Sequence, residues 1–165
     1  MVRVGLLSDT HGYLDPQVFS YFDGCDEIWH AGDVGSIEIV DQLQAFRPFR
    51  GVCGNIDGPP VSQVCPDHQR FELEGLDVWM THIGGSPPRY TPIVRPNLQI
   101  SAPDLFICGH SHILKVIKDP KFGDMLFINP GAAGKIGFHQ VRTCVRFSLD
   151  FGRITHFEII ELGKR

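Results

Sequence analysis

Residues 105–112, Leu-Phe-Ile-Cys-Gly-His-Ser-His, carry the pattern that decides the fold. The apolar run predicts a buried strand over residues 104–108, which ends at Gly109. His110 and His112 follow with one residue between them, so an extended backbone would project both side chains to the same side. Two imidazoles held at a strand end are good ligands for first-row transition metals. A pair of surface histidines is the alternative interpretation of this segment, and the remaining chain decides between the two.

Four other apolar segments end in the same way. These segments, 3–8, 27–31, 49–53 and 78–81, are predicted to be strands, and a polar side chain able to bind a metal follows each of them. In α/β sheets the functional crevice lies outside the carboxyl ends of the strands, so these side chains are expected to converge on one surface. With the two histidines above, they form a set of seven candidate ligands: Asp9, His11, Asp33, Asn55, His82, His110 and His112.

Helices alternate with strands in the first half of the chain, and strands dominate the second half. One helix is predicted from a cap at Asp15 to the neighbourhood of Gly24, and another follows a cap at Ser36. This order indicates an α/β fold with a mixed sheet or two packed sheets. The predicted hairpins span 71–81, 116–128 and 143–160, and the predicted loops span 59–66 and 84–96.

The length and composition predict one domain, residues 1–165, with a sizeable core. A net charge of −4 at pH 7 provides no broad basic face, so nucleic acid is not an expected partner. No apolar run is long enough to span a membrane, and because the first strand is predicted to begin at residue 3 we expect no signal peptide. The five dispersed cysteines contain no C-x-x-C pair, so we expect neither disulfides nor structural zinc and predict a cytoplasmic location.

The candidate ligands combine carboxylate, imidazole and amide groups. This mixture favours Mn, Fe, Zn, Ni or Co over Ca or Mg alone. One carboxylate bridging two ions would hold them about 3.5–4 Å apart, as in two-metal phosphatases and nucleases. Two divalent ions beside two carboxylates would keep a net positive charge, which suits a phosphate ester because negative charge grows on its oxygens during transfer.

Five segments resemble the motifs of the calcineurin-like metallophosphoesterases. They occur in the order of that family and extend over nearly the whole chain. The spacing and the short length are similar to the small YfcE-like phosphodiesterase subfamily, as is the segment 128–132, Ile-Asn-Pro-Gly-Ala. The five segments are Asp9-Thr10-His11, Gly32-Asp33, Gly54-Asn55-x-Asp57, His82 and Gly109-His110-Ser111-His112.

The resemblance implies a sandwich of two mixed β-sheets flanked by helices, an αββα arrangement. It also implies two divalent metal ions, with manganese favoured and iron, nickel, zinc or cobalt as alternatives. A hydroxide bridging the metals would attack the phosphorus of a phosphodiester, with Asp33, Asn55 and His82 as catalytic residues. The implied ligands are Asp9, His11 and His112 for one metal and Asn55, His82 and His110 for the other, with Asp33 bridging both.

The chain departs from the family pattern at two positions. Ile56 stands where the wider family usually has a histidine that helps to protonate the leaving group, and His82 is followed by Ile-Gly-Gly where many relatives read His-Gly-His. His139 is a candidate substitute acid, with a solvated loop or strand edge as the alternative interpretation. Arg89 and Arg95 either contact a substrate phosphate, which suits the guanidinium group, or remain at the surface.

Four further polar residues are expected to have supporting roles or none. His30 is expected to be buried or next to a ligand, and Asp57 to hydrogen-bond a ligand or the loop. His68 and His156 are expected to lie at the surface.

The leading functional hypothesis is a metal-dependent phosphodiesterase acting on a small-molecule phosphodiester. The complete set of candidate ligands favours it. A phosphomonoesterase on the same metals is an alternative. Another alternative is a metal-binding scaffold, because a eukaryotic retromer subunit resembles this fold and serves as an interaction surface. Homo-oligomerisation is left open.

Overall fold

Two five-stranded β-sheets form the framework of the chain, in a computed structural model that describes residues 1–165. The strands are β1 (Val2–Leu7), β2 (Glu27–His30), β3 (Phe49–Gly51), β4 (His68–Leu73), β5 (Leu76–Thr81), β6 (Gly85–Ser86), β7 (Arg89–Tyr90), β8 (Leu105–Ile107), β9 (Lys115–Asp119), β10 (Met125–Asn129), β11 (Val141–Asp150) and β12 (Arg153–Lys164). The α-helices are α1 (Gln17–Tyr21), α2 (Ile37–Phe46), α3 (Val61–Val64) and α4 (Arg95–Ile100), and a 3-10 helix spans Pro120–Phe122.

Both sheets are mixed. The first has the order β12-β11-β1-β2-β3, with β1, β2 and β3 parallel to one another and β11 antiparallel to β1. The second has the order β4-β5-β8-β10-β9, with a parallel centre of β5, β8 and β10 and an antiparallel strand at each edge. The parallel strands of each sheet therefore end at a common edge.

A continuous apolar layer holds the two sheets together. Alternate residues of β1 point inward, and Val4 and Leu6 pack in the same cluster as Val78 and Met80 of the second sheet. Trp29 is fully buried in this layer and contacts Phe71 of the second sheet edge-on, with ring centroids 5.2 Å apart. Helices α1 and α2 cover the outer face of the first sheet, and α4 covers that of the second. The predicted sandwich of two mixed sheets flanked by helices is confirmed.

Two loop predictions are wrong. Residues 84–96 were expected to be a loop with at most a broken helical turn, but they contain the β6–β7 hairpin and the beginning of α4. Long-range contacts explain the difference, because Lys115 of β9 donates hydrogen bonds to Ser86 and to the Pro87 carbonyl and so ties the hairpin to the second sheet. Residues 59–66 likewise contain the short helix α3, whose Val61 is buried under the first sheet.

Of the two residues predicted to cap helices, one bonds to the helix backbone and the other does not. The Asp15 carboxylate accepts a hydrogen bond from the Gln17 amide at the beginning of α1, 2.9 Å away. Ser36 precedes α2 as predicted, but its hydroxyl is bonded to the carboxylate of Glu38 and not to the helix backbone. The helix predicted from the cap at Asp15 is shorter than expected, because α1 ends at Tyr21 and not near Gly24.

The cysteines form no disulfide, and all five are buried free thiols. None of the helices is both long and apolar enough to cross a membrane.

Candidate metal centre

The seven candidate ligands meet where the strands of both sheets end. Each follows β1, β2, β3, β5 or β8, so the rule for parallel sheets brings them to one edge of the sandwich. Within this set, the potential ligand atoms of Asp9, His11 and His112 lie within 4.8 Å of one another, and those of Asp33, His82 and His110 do the same. Asn55 joins the second group, because its Oδ1 lies 3.0 Å from Nδ1 of His110.

Most of these residues have a left-handed backbone. The φ angles are 54° at Asp9, 47° at His11, 54° at Asp33, 70° at His110 and 59° at His112. A left-handed conformation is uncommon for a residue with a side chain and costs of order 1–2 kcal/mol. Such strain is concentrated where the surrounding structure holds a residue in place for function. It therefore marks this edge of the sandwich as a functional site on grounds independent of residue type.

The geometry expected for the two histidines after β8 is wrong. An extended backbone would have sent both side chains to the same side, but β8 ends at Ile107 and both histidines are left-handed. The turn between them instead sends His112 into the group of Asp9 and His110 into the group of Asp33. The two histidines therefore belong to two neighbouring groups of ligands, the division that the family resemblance implied.

Each of the two carboxylates uses one oxygen for support and directs the other into the site. Oδ2 of Asp9 accepts hydrogen bonds from the Ser8 hydroxyl at 2.7 Å and from the His110 amide at 3.1 Å, while Oδ1 is buried without a hydrogen-bond partner. Oδ1 of Asp33 accepts from the Ile56 amide at 3.1 Å. These bonds orient the carboxylates before any ligand binds.

Hydrogen bonds to other parts of the chain also orient the rings of His82 and His30. Nδ1 of His82 lies 2.7 Å from the Ala31 carbonyl and donates to it, which leaves the lone pair on Nε2 facing the site. His30 is fully buried next to the loops that follow β1 and β2. Its Nδ1 accepts from the Gly32 amide at 3.1 Å, so Nε2 carries the proton and donates to Thr10 at 3.0 Å. His30 thus connects the loop after β1 to the loop after β2.

The carboxylates and imidazoles shift one another's pKa. Burial alone would raise the pKa of Asp9, but the neighbouring imidazoles of His11 and His112 outweigh it and hold that pKa far below its usual range. The neighbouring Asp9 carboxylate raises the pKa of His11. Burial opposes a charge on His82, yet the adjacent Asp33 carboxylate raises its pKa overall. The site therefore favours a positive charge between the two carboxylates. A bound metal cation would supply that charge at the same place.

Asp33 lies between the two groups of ligands. Its Oδ2 is 3.3 Å from Nε2 of His11 in one group and 3.2 Å from Nε2 of His82 in the other. Two ligands on one ion lie roughly 3.0–3.4 Å apart when each is about 2.1 Å from it. Both imidazole nitrogens are buried without a hydrogen-bond partner, as Oδ1 of Asp9 is. These unpaired atoms all face one space, so the residues fit divalent metal ions.

The sequence matches a family model. The model for the calcineurin-like phosphoesterase superfamily domain matches residues 2–152. A protein of Methanothermobacter thermautotrophicus named "Probable metallophosphoesterase" is 32% identical over 135 residues, which cover 78% of this chain and 76% of that protein. The chain belongs to the calcineurin-like phosphoesterase superfamily. The resemblance inferred from the five motifs is thereby confirmed, and membership implies divalent metal ions.

Solved structures show the same fold as this metallophosphoesterase. One described as a novel archaeal phosphodiesterase superimposes with a TM-score of 0.77 at 20% identity, covering 97% of this chain and 99% of that one. A Vps29 variant from Entamoeba histolytica superimposes with a TM-score of 0.73 at 17% identity, covering 98% and 99%. At these identities the similarity establishes the fold alone.

The other candidate residues of this metallophosphoesterase fall into two classes. Asp57 accepts hydrogen bonds from the amides of Val34, Gly35 and Gly54, so it holds the loops after β2 and β3 together. Arg89 and Arg95 are exposed. Neither of them lines the cavity next to the candidate ligands, which leaves the surface interpretation better supported for both.

His139 lies beside the site but is poorly placed to donate a proton. Its ring contacts His112 edge-on, with centroids 5.2 Å apart, and its Nε2 donates to the Gly134 carbonyl at 2.8 Å. Burial lowers its pKa, so the ring is neutral near pH 7, and the remaining nitrogen, Nδ1, carries a lone pair without a partner. His139 lies in the loop before β11, and its ring is only partly exposed because it packs on the candidate ligand His112.

A cavity of about 240 Å³ opens from the second group of ligands. Sequence reasoning placed His68 at the surface, and it is exposed, but it also lines this cavity with Asn55 and His82. Only the antiparallel pairing of β4 with β5 reveals this, because His68 faces Thr81, the residue before His82. No local sequence signal distinguishes His68 from the exposed His156, which lines a separate cavity.

Proposed function

We propose that residues 1–165 form one domain that hydrolyses phosphodiesters with two divalent metal ions. The observation that carries this proposal is the position of Asp33, whose Oδ2 lies within 3.3 Å of an imidazole nitrogen from each group of ligands. A carboxylate in that position can serve two ions at once. The family supplies the reaction class, phosphoester hydrolysis.

Each group of ligands would hold one ion. Asp9, His11 and His112 would bind one, and Asn55, His82 and His110 the other, with Asp33 shared. This donor set suits manganese, with iron, nickel, zinc or cobalt as alternatives. When bound, the ions act as Lewis acids that favour deprotonation of water and neutralise charge on the phosphate.

The chain itself orients the reacting groups. The hydrogen bonds to Asp9 and Asp33 keep both carboxylates in place, so these two side chains need not reorganise during the reaction. The amide of Asn55 is exposed at the mouth of the cavity, and its Nδ2 is free to donate to a phosphate oxygen. His82 is fixed by the Ala31 carbonyl, which keeps its Nε2 directed at the site.

The cavity favours a diester over a monoester. Its lining contains no lysine or arginine, so no permanently charged side chain would assist the metal ions in balancing the charge of a bound phosphate. A monoester carries one more negative charge than a diester. The side chains of Ile83 and Ile93 add apolar surface that suits an ester substituent.

The test is metal-dependent hydrolysis of bis(p-nitrophenyl) phosphate and of p-nitrophenyl phosphate. The protein is stripped with a chelator and then loaded with Mn²⁺. We expect activity to return with the metal and the diester to be the better substrate. Asp33→Asn should abolish turnover, whereas the exposed Asp41→Asn in α2 should retain it. Full activity in Asp33→Asn, or no hydrolysis of either ester by metal-loaded protein, would contradict the proposal.

A binding scaffold is the second candidate function. The structures described as Vps29 share the fold, and the name of one of them is vacuolar protein sorting 29. Three exposed isoleucines, Ile56, Ile83 and Ile113, each directly follow a candidate ligand and could contact a partner protein. The enzyme is better supported because all seven candidate ligands are present and assembled. Stoichiometric metal without hydrolysis of any ester would favour the scaffold.

A further inference from the structure

We propose that His68 donates the proton to the leaving oxygen of the substrate, from the lining of the 240 Å³ cavity that Asn55 and His82 also line. The proposal rests on the phosphodiesterase function proposed above. It makes His68 a catalytic residue that contacts the ester group bound in this cavity.

The chemistry requires such a donor. When water attacks phosphorus, a new P–O bond forms, and the bond to the ester oxygen breaks with its electron pair remaining on that oxygen. An alkoxide or a basic phenoxide is a poor leaving group unless it receives a proton in the transition state. The imidazolium N–H of His68 supplies that proton, and the alcohol departs. The neutral imidazole then regains a proton from solvent, where the proton lost by the attacking water has gone.

The fold places His68 in the lining of the cavity that Asn55 and His82 also line. His68 is the first residue of β4 and is paired with Thr81, so it lies one residue from the strand end that carries His82. Its ring packs on the side chain of Trp79, with centroids 5.9 Å apart, and Trp79 is itself almost fully buried. One side of the imidazole is therefore bounded by a fixed aromatic ring, and the residue itself is exposed and lines the cavity.

Other side chains near the site that carry a proton already donate it in a hydrogen bond to another group. Nε2 of His139 is bonded to a carbonyl, and both nitrogens of His30 are bonded in the interior. The thiol of Cys53 also lines the cavity, but it donates to Asp67, and burial together with that carboxylate raises its pKa to about 12. Tyr90 donates to Asp119, away from the cavity. The side chain of Ile56 carries no proton to donate.

The experiment compares Mn²⁺-loaded wild type and His68→Ala on a series of methyl aryl phosphates. The leaving groups run from p-nitrophenol, which needs no proton, to unsubstituted phenol, which is more basic. For the phenyl ester we expect the variant to lose about 10²-fold in kcat/KM, and for the p-nitrophenyl ester less than about threefold, because general acid catalysis acts only on the basic leaving group. Added imidazole should restore turnover of the phenyl ester by His68→Ala and should not accelerate wild type.

A structural role for His68 would give a different result. Equal losses on every ester, without rescue by imidazole, would overturn the proposal while leaving the phosphodiesterase function intact. Failure of wild type to hydrolyse the p-nitrophenyl ester would instead overturn the proposed function itself. His156→Ala provides the matched control, since His156 is exposed on β12 and lines another cavity. It should match wild type on all members of the series.

Discussion

Acidification is expected to destabilise the folded chain through one buried histidine, His30. Its ring is inaccessible to solvent, and its two nitrogens connect Thr10 in the loop after β1 to Gly32 in the loop after β2. Because Nδ1 accepts a hydrogen bond from the Gly32 amide, a proton on that nitrogen would leave two donors facing each other. A charged His30 would therefore break the connection between the loops that carry Asp9 and Asp33.

The size of the effect follows from the pKa. Burial lowers the pKa of His30 from 6.5 to about 4. This shift corresponds to about 3 kcal/mol, because one pKa unit equals about 1.4 kcal/mol. Between these two values the unfolded chain binds the proton and the folded chain does not, so the free energy of unfolding rises with pH in this window. The contribution is complete above pH 6.5 and is lost as the pH falls towards 4.

Urea denaturation at a series of pH values between 4 and 7.5 measures this contribution. A chelator is present throughout, so that metal binding does not add to the pH dependence. His30→Asn keeps an acceptor for the Gly32 amide but cannot be protonated, and it should lose about 3 kcal/mol less than wild type across the window. His156→Asn, at an exposed position, should follow wild type.

The refuting result is a pH dependence that is the same in wild type and His30→Asn. Titration of the imidazole followed by NMR offers a direct check. A His30 pKa at or above 6.5 would show that the hydrogen bonds assigned to its two nitrogens are wrong.

Three further predictions concern substitutions in and around the candidate metal centre. Asp33→Ala is expected to weaken both metal sites and His112→Ala mainly one, measured as bound metal per chain; two intact sites in Asp33→Ala would refute the shared role of Asp33. Gly54→Ala is expected to destabilise the fold by about 1–3 kcal/mol, because a Cβ there would overlap the Asp33 carboxylate. Gly58→Ala, where a Cβ meets open space, should leave the melting temperature nearly unchanged, and equal shifts in the two variants would contradict this packing argument. Ile56→His is expected to raise turnover of phosphomonoesters by adding a proton donor beside the site, and an unchanged ratio of monoester to diester rates would show that this position does not limit leaving-group protonation.

The sequence by itself determined which residues belong to the candidate site. The rule that strand ends carry the functional groups is local, because an apolar run and the polar residue after it are neighbours along the chain. It identified all seven residues that the fold gathers at one edge, including His110 and His112 after β8. Turn residues likewise predicted the hairpin around Pro120, and alternation of apolar and polar residues predicted the one around Gly152.

The tertiary structure alone decided how those residues are arranged. The left-handed backbone at Asp9 and His11 is stabilised by bonds between loops that are distant in sequence: the Asp9 amide donates to the Gly32 carbonyl at 2.9 Å, and the His11 amide to the Asp33 carbonyl at 3.0 Å. Such distant partners cannot be predicted from a pattern of residues that are neighbours in the sequence. The expectation of an extended backbone after β8 was wrong for the same reason, since the His110 amide bonds to the carboxylate of Asp9 about a hundred residues away.

The environment of His68 is also a product of the tertiary structure. In the sequence it is one polar residue among several before a strand, with nothing to separate it from other exposed histidines. Pairing of β4 with β5 places it beside the strand end that carries His82 and makes it a wall of the same cavity. Residue types and their spacing therefore determined the donor set and the family. The family resemblance also implied the division of the donors into two groups with Asp33 between them. The backbone conformation that achieves this division and the surroundings of the cavity depend on long-range pairing, which cannot be inferred from a local pattern.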